Sequence, residues 1–153
     1  MFIQLKNLSK KFKNNFAVNN INFNIEKNKT LGLLGPNGCG KTTSIGMILG
    51  LIKPSSGQII IDDKNLESYK RNDILARINF ASPYIELPKK LTVRQNLEVY
   101  GRLYGVKNRK ERIEEISEDL DIKDFFDRKT GELSSGQKNR VSLAKSLINK
   151  PEI

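Results

Sequence analysis

Apolar and polar residues alternate in the first part of the chain and recur at helical spacing in the last part. Ile21, Phe23 and Ile25 interleave with Asn20, Asn22 and Asn24, the signature of a half-buried strand. Met1 to Lys6 alternates more loosely and predicts an edge strand, and Lys10 to Asn15 is polar and turn-like. Thr30 to Leu34 predicts a short buried strand, and Thr43 to Leu51 a helix. Pro54-Ser55-Ser56-Gly57 reads as a turn before another strand at Gln58 to Asp62. Arg71 to Arg77 predicts a short helix, and Ile78 to Ala81 a short strand ended by Ser82-Pro83. From Thr92 the period changes. Val93, Leu97, Tyr100 and Leu103-Tyr104 form one helical stripe, and Ile113, Ile116 and Leu120 form another within Lys107 to Leu120. Asp124 to Gly131 is irregular. A third helix begins at Ser135 or Gly136, carries Val141, Leu143-Ala144 and Leu147-Ile148, and is stopped by Pro151.

Composition narrows the class without changing this layout. The chain has 153 residues, 37% hydrophobic and 29% charged, which fits one globular domain. No apolar run reaches the ~18 residues of a membrane span, and Lys6, Lys10, Lys11 and Lys13 interrupt any secretory signal. A single cysteine forms no internal disulfide, so a reducing cytosol is expected. The net charge of +10 is spread along the chain with little aromatic interleaving. That pattern favours a solvated surface over a membrane surface, and a membrane surface over nucleic acid. The abundant Asn and Lys read as compositional bias.

One stretch carries chemistry. Gly35-Pro36-Asn37-Gly38-Cys39-Gly40-Lys41-Thr42 lies between the apolar run Leu31 to Leu34 and the helix opened by Thr43. Strand, G-x-x-x-x-G-K-[ST] and helix make a phosphate-binding loop. Its glycines let successive N–H groups face one concavity, and the helix start adds partial positive charge. Lys41 is expected to reach the β- and γ-phosphates, and the Thr42 hydroxyl to bind Mg²⁺. Cys39 has no companion Cys or His for a metal site, but a bulky thiol reagent there should block nucleotide binding.

Leu133-Ser134-Ser135-Gly136-Gln137 opens the third helix and is a second candidate anion-binding helix start. Together, a phosphate loop followed by L-S-x-G-Q resembles the ATP-binding subunits of ABC transporters. Leu31 to Asp62 and Leu91 to Gly105 resemble the same family, so the likeness covers nearly the whole chain. The resemblance implies an α/β P-loop NTPase fold with an antiparallel β subdomain and a helical subdomain. It divides the chain into a phosphate-loop core and antiparallel region at 1–87, a helical subdomain at 88–137 and the signature helix at 138–153. It implies ATP and Mg²⁺ as cofactors. It also implies a second nucleotide-binding domain, in a homodimer or heterodimer, whose ATP is contacted by Ser134 and Gly136 of this chain. A separate transmembrane permease is the other implied partner, which places the chain in the cytoplasm, at the cytoplasmic face of the membrane. The likeness is nearest to export-type systems with separate ATPase and permease. The aromatic that stacks on adenine in that family is assigned to Phe12, with Phe16 as rival and Val18 lining the same side.

The sequence also departs from the family. Ser82 or Pro83 stands where a Mg²⁺-holding glutamine is usual; Ser82 could touch a metal-bound water, or Tyr84 to Lys90 could serve only as a coupling contact. Ile59-Ile60-Ile61-Asp62-Asp63 imitates a metal-binding aspartate strand, yet the resemblance places it in the antiparallel sheet. The sequence reaches Pro151-Glu152-Ile153 before the expected metal-binding aspartate, catalytic glutamate and switch histidine, and it contains no histidine. Its catalytic residues are therefore unknown. The expectation is a truncated domain, or one completed by another chain, that binds ATP and does not hydrolyse it. Two other functions fit the same motifs. One is a non-transport module acting on nucleic acid or the ribosome, against which the compact spacing argues; the other is a non-catalytic remnant.

Overall fold

The computed structural model describes residues 2–68, 71–82 and 86–153. Expectations resting on Met1 and on Pro83 to Ile85 lie outside them. The chain divides into two compact units, residues 1–76 and 77–153.

The first unit is built on a four-stranded antiparallel sheet of order β2-β1-β3-β4. Its strands are β1 (Ile3–Phe12), β2 (Asn15–Ile25), β3 (Ser56–Ile61) and β4 (Lys64–Asn65). In register, Leu5 pairs with Phe23 of β2 and with Ile59 of β3. Ile3, Leu5, Ile59 and Ile61 are buried on one face. β1 is thus a central strand, where the sequence predicts an edge, because β3 returns from far along the chain to take its other side. The decoy string Ile59 to Ile61 lies in this antiparallel sheet, and Asp62 and Asp63 form the positive-φ turn into β4.

Strict alternation along β1 would put Asn7 inside. Instead Asn7 adopts φ 49°, and the register shifts between Leu5 and Leu8. The bulge brings Leu8 inside, and Leu8 is fully buried. The displaced Asn7 N–H donates to Asn22 Oδ1 at 2.8 Å. Asn20 and Asn28 also sit at positive φ, and the Asn20 N–H donates to Ser9 Oγ at 2.8 Å. Three of the sixteen asparagines thus occupy left-handed backbone positions that asparagine tolerates.

Between the strands lies α1 (Lys41–Ile48), which buries Ser44, Gly46 and Met47. It is terminated by Gly50 at φ 67°, whose carbonyl accepts from Arg71 Nη2 at 2.5 Å. Arg71 opens the short α2 (Arg71–Leu75). Thr30 to Leu34 does not form the predicted buried strand. Leu31 and Leu34 are exposed, Leu34 at 95%. A strand needs a hydrogen-bonded neighbour, and no described strand pairs with this run.

The second unit packs α3 (Val93–Leu103), α4 (Arg109–Asp119) and α5 (Ser135–Leu147) around one core. Val93 and Leu97 meet Ile113 and Ile116, Ile122, Phe125 and Phe126, and Val141, Ala144 and Ile148. Leu103, Leu143 and Leu147 belong to the predicted stripes but are exposed, because within this unit each helix has neighbours on one side only. Two 3₁₀ turns, Lys123–Phe125 and Thr130–Glu132, order the stretch expected to be irregular. Buried Asn96 donates to Thr92 O at 3.0 Å and Pro88 O at 3.3 Å, and the Thr130 hydroxyl donates to Pro88 O at 2.8 Å. These bonds strap the 86–91 loop onto the start of α3. Ile78 to Ala81 is not a strand of any sheet. Even so, the Asn79 N–H donates to Ile153 O at 2.9 Å and the Ile153 N–H to Arg77 O at 3.2 Å, the bond pattern of parallel pairing.

The bulge at Asn7 constrains its neighbour across the ladder. Gly57 has φ 86°, and a Cβ there would stand 2.3 Å from Asn7 O. Gly57→Ala must strain its backbone and push β3 off β1. It is expected to cost ~2 kcal/mol or more, read as a lower midpoint of thermal unfolding, whereas Gly136→Ala meets open space and should not move strand packing.

Candidate functional site

The phosphate loop and its helix α1 lie within the first unit. Gly40 is the N-cap of α1 at φ 94°, with no side-chain cap and no acidic residue in the first turn. The first N–H groups of the helix are therefore left without a protein side chain to accept from them. A Cβ at Gly40 would stand 2.3 Å from Ala17 O and 3.0 Å from Val18 Cγ2. Only glycine lets β2 approach the loop this closely from behind. Lys41 turns back into the loop. Its Nζ donates to Gly35 O and Pro36 O, both at 2.7 Å, and lies 3.8 Å from Cys39 Sγ. The loop is closed by a turn in which the Cys39 N–H donates to Pro36 O at 3.4 Å. Pro36, Asn37, Gly38, Cys39 and Thr42 are exposed, and Thr43 is half-buried.

This arrangement suits a phosphate chain: a lysine ammonium held by two carbonyls, uncapped helix N–H groups, and glycine where the loop meets β2. It fits the triphosphate of ATP. Thr42, the second residue of α1, offers an exposed hydroxyl for a magnesium ion bound with it. Among the described residues no group of three or more His, Cys, Asp or Glu side chains could hold a metal.

Phe12 and Phe16 sit at the tip of the β1–β2 hairpin, where Phe12 pairs with Asn15 and Phe16 with Lys11. Phe12 is 50% exposed and Phe16 56%, so both rings offer a face to a planar ligand. A lysine ammonium covers each ring: Lys10 at 5.1 Å from the centroid of Phe12, Lys11 at 5.5 Å from that of Phe16. Val18 is buried at 5% and supports the loop from behind.

The second motif lies in the second unit. Leu133 is buried in the helical core. Ser134 is the N-cap of α5, and its Oγ accepts from the Gln137 N–H at 3.3 Å while Gln137 Oε1 accepts from the Ser134 N–H at 3.0 Å. This reciprocal capping box fixes both side chains. The Ser134 hydroxyl uses a lone pair for the helix, so its proton is free to donate outward. Ser135 and Gly136 are exposed, and the first turn carries no acid. Half-buried Ser82 lines a polar hollow of about 270 Å³ with Glu86, Lys89, Thr130, Ser135 and Lys138. The structure thus brings Ser82 and the start of α5 to one cavity. There a hydrogen bond and the charge of Lys89, helped by the charge of Lys138, hold the Glu86 carboxyl below the usual range.

Sequence reading missed the groups that hold these parts. Arg71 on the end of α1, and Asn79 and Arg112 on the end of α5, act across long stretches of chain and belong to no local pattern.

Comparison with known proteins agrees with this geometry. The ABC transporter family profile matches residues 18–153. Over 153 residues the chain is 35% identical to "Nod factor export ATP-binding protein I" of Burkholderia lata, covering 99% of this chain and 50% of that protein. It is 38% identical to "Zinc import ATP-binding protein ZnuC" of Rickettsia bellii, covering 99% of this chain and 59% of that one. It is 37% identical to "Fe(3+) ions import ATP-binding protein FbpC" of Escherichia coli O157:H7, covering 99% and 44%. The chain spans about half the length of the curated relatives it matches. Among solved structures, cbiO1 from Clostridium perfringens, part of the ABC transporter complex cbiONQ, superposes with a TM-score of 0.84 at 30% identity, covering 98% of this chain and 62% of that one. The dimeric ATP-binding cassette MJ0796 in a post-hydrolysis state with ADP and Pi superposes with a TM-score of 0.81 at 29% identity, covering 97% and 70%. With its phosphate loop, its L-S-x-G-Q helix start and a family match across most of its length, the chain belongs to the ABC transporter family of ATP-binding proteins.

Proposed function

We propose that the chain is the ATP-binding part of an ABC transporter subunit, coupling ATP binding and hydrolysis in the complete transporter to movement of a substrate across a membrane. The observation that carries this reading is the uncapped start of α1 with the Lys41 ammonium held inside the phosphate loop. Gly35, Gly38, Gly40 and the N–H groups opening α1 receive the phosphates. Lys41 keeps its bonds to the Gly35 and Pro36 carbonyls and exchanges its weak contact with Cys39 sulfur for a phosphate oxygen. The Thr42 hydroxyl would hold Mg²⁺, which would supply charge neutralisation to the phosphates. Phe12 stacks on the base, with Phe16 as the alternative ring.

The second half of the mechanism lies at α5. The outward Ser134 O–H and the N–H groups of the first turn meet the γ-phosphate of an ATP held by a second nucleotide-binding domain. Two ATP molecules are then buried by two chains, and ATP favours the joined state to the extent that it binds that state more tightly. A separate permease takes up the motion at the cytoplasmic face of the membrane. No described helix is long and apolar enough to cross a membrane. Relatives named for export and for import both match, so the reading carries ATP coupling without a cargo. Residues 1–153 by themselves are proposed to bind ATP without turning it over.

Two measurements test this. In a titration with a fluorescent ATP analogue, Lys41→Ala should weaken binding roughly 10- to 100-fold, the scale of a charge-assisted bond lost. Alkylation of Cys39 by a bulky maleimide should abolish binding, and unchanged affinity after alkylation would remove the phosphate loop from the site. Ser134→Ala should leave analogue binding unchanged, lower stability by ~1 kcal/mol through loss of the cap, and reduce ATP-driven self-association in sedimentation.

A further inference from the structure

The helix α5 presents Ser134 and Gly136 at its first turn, yet its polar anchoring is concentrated at the other end. The last carbonyls of a helix have no intrahelical donor. Here side chains from two different places in the second unit take them up. Ser146 O accepts from Asn79 Nδ2, which also donates to Asn149 Oδ1 at 2.6 Å. Leu147 O accepts from Arg112 Nη2 at 2.7 Å, and Ile148 O accepts from Arg112 Nε at 3.1 Å. Arg112 belongs to α4, its side chain is only 13% exposed, and its remaining edge is paired with Glu115 at 2.9 Å. Asn79 belongs to the segment that runs into Ser82. That segment is itself fixed to residues 152 and 153 by backbone bonds and by the Arg77–Glu152 pair at 2.5 Å. A planar guanidinium spanning two successive carbonyls fixes direction as well as distance.

We infer that Asn79 and Arg112 are positioning residues for the L-S-x-G-Q motif. By holding the carbonyls of Ser146, Leu147 and the C-cap residue Ile148 they set the direction in which the first turn of the helix is presented, about 20 Å away along its axis. Asn79 does this from the segment carrying Ser82, so a displacement of that segment swings the start of α5. The inference rests on the proposed role of Ser134 and Gly136 at a partner's ATP, and it assigns a task to two residues that touch neither nucleotide nor metal.

The test uses the 153-residue chain with Asn79→Ala, Arg112→Ala and Arg112→Lys, and Ser134→Ala as the control for the underlying role. Arg112→Lys keeps the charge and can reach one carbonyl; Asn79→Ser is the milder variant at the other position, so a variant that fails to fold does not end the test. The first readout is the amide NMR resonances of Ser135, Gly136 and Gln137. Both alanine variants should shift them, with Arg112→Lys shifting them less. The second readout is ATP-driven self-association. It should weaken roughly three- to tenfold, the scale of one or two hydrogen bonds, while affinity for a fluorescent ATP analogue is unchanged, and recover in part with Arg112→Lys. A merely structural role would lower the thermal midpoint and move the resonances of residues 147–150 while leaving those of 135–137 in place; that result overturns the inference. It is equally overturned if Asn79→Ala and Arg112→Ala associate like wild type in a chain whose association Ser134→Ala abolishes. If Ser134→Ala associates like wild type, the reading of the motif fails, and the resonances of 135–137 alone decide the positioning role.

Discussion

Every α-helix leaves backbone donors at its start and acceptors at its end that something must satisfy, and this structure treats its two motif-bearing helices in opposite ways. At α1 the start is bare: Gly40 has no side chain to cap with, no acid stands in the first turn, and the Lys41 ammonium is held inside the loop. At α5 the finish is closed by Asn79 and Arg112, and at the start Ser134 and Gln137 cap each other while the N–H groups of Ser135 and Gly136 stay outside the capping box. An open start is a place for an anion to sit. A helix fixed at its far end is an arm that carries its first turn to wherever it is needed. The antiparallel sheet behind the loop and the helical core under the arm are arranged around these two requirements.

What the sequence made legible follows from range. The phosphate loop is a run of adjacent residues whose chemistry is local, and the capping box of α5 spans only Ser134 to Gln137, so both can be read from spacing alone. The alternation of Ile21, Phe23 and Ile25 and the helical stripes of Val93, Leu97, Ile113 and Ile116 are equally local. β1 was misplaced at an edge because its second neighbour, β3, pairs Leu5 with Ile59, and no window of sequence shows that. Thr30 to Leu34 has the composition of a buried strand, but strand formation is a relation between two segments, and its composition says nothing about the neighbour. The bulge at Asn7 was hidden for another reason: asparagine signals a left-handed residue only where the surrounding hydrophobic phase must shift, as it does to bring Leu8 inside. The grip of Arg112 on Leu147 and Ile148 joins two helices far apart in sequence.

The surface charge is ordered locally in the helical unit. Glu98 is held below the usual carboxylate range by hydrogen bonds from Arg102 and then Arg109, which ties the end of α3 to the start of α4. Lys123 is raised above its ordinary value by the hydrogen bonds it donates to Glu118 and Glu114, closing the turn that follows α4. Exposed pairs of this kind contribute little stability each. Ser135 and Gly136, by contrast, are exposed in a first turn that carries no acid.

The register of the sheet has a consequence for the order in which the molecule assembles. The β1–β2 hairpin joins neighbouring segments through the turn after Phe12, so little loop entropy is lost before it forms. The β1–β3 ladder must close the whole stretch from Leu5 to Ile59, and that stretch contains the phosphate loop and α1. Contacts of long sequence separation form slowly. The nucleotide cradle is therefore braced only after the β1–β2 hairpin has formed, and a chain emerging during synthesis holds its phosphate loop open until β3 has found β1.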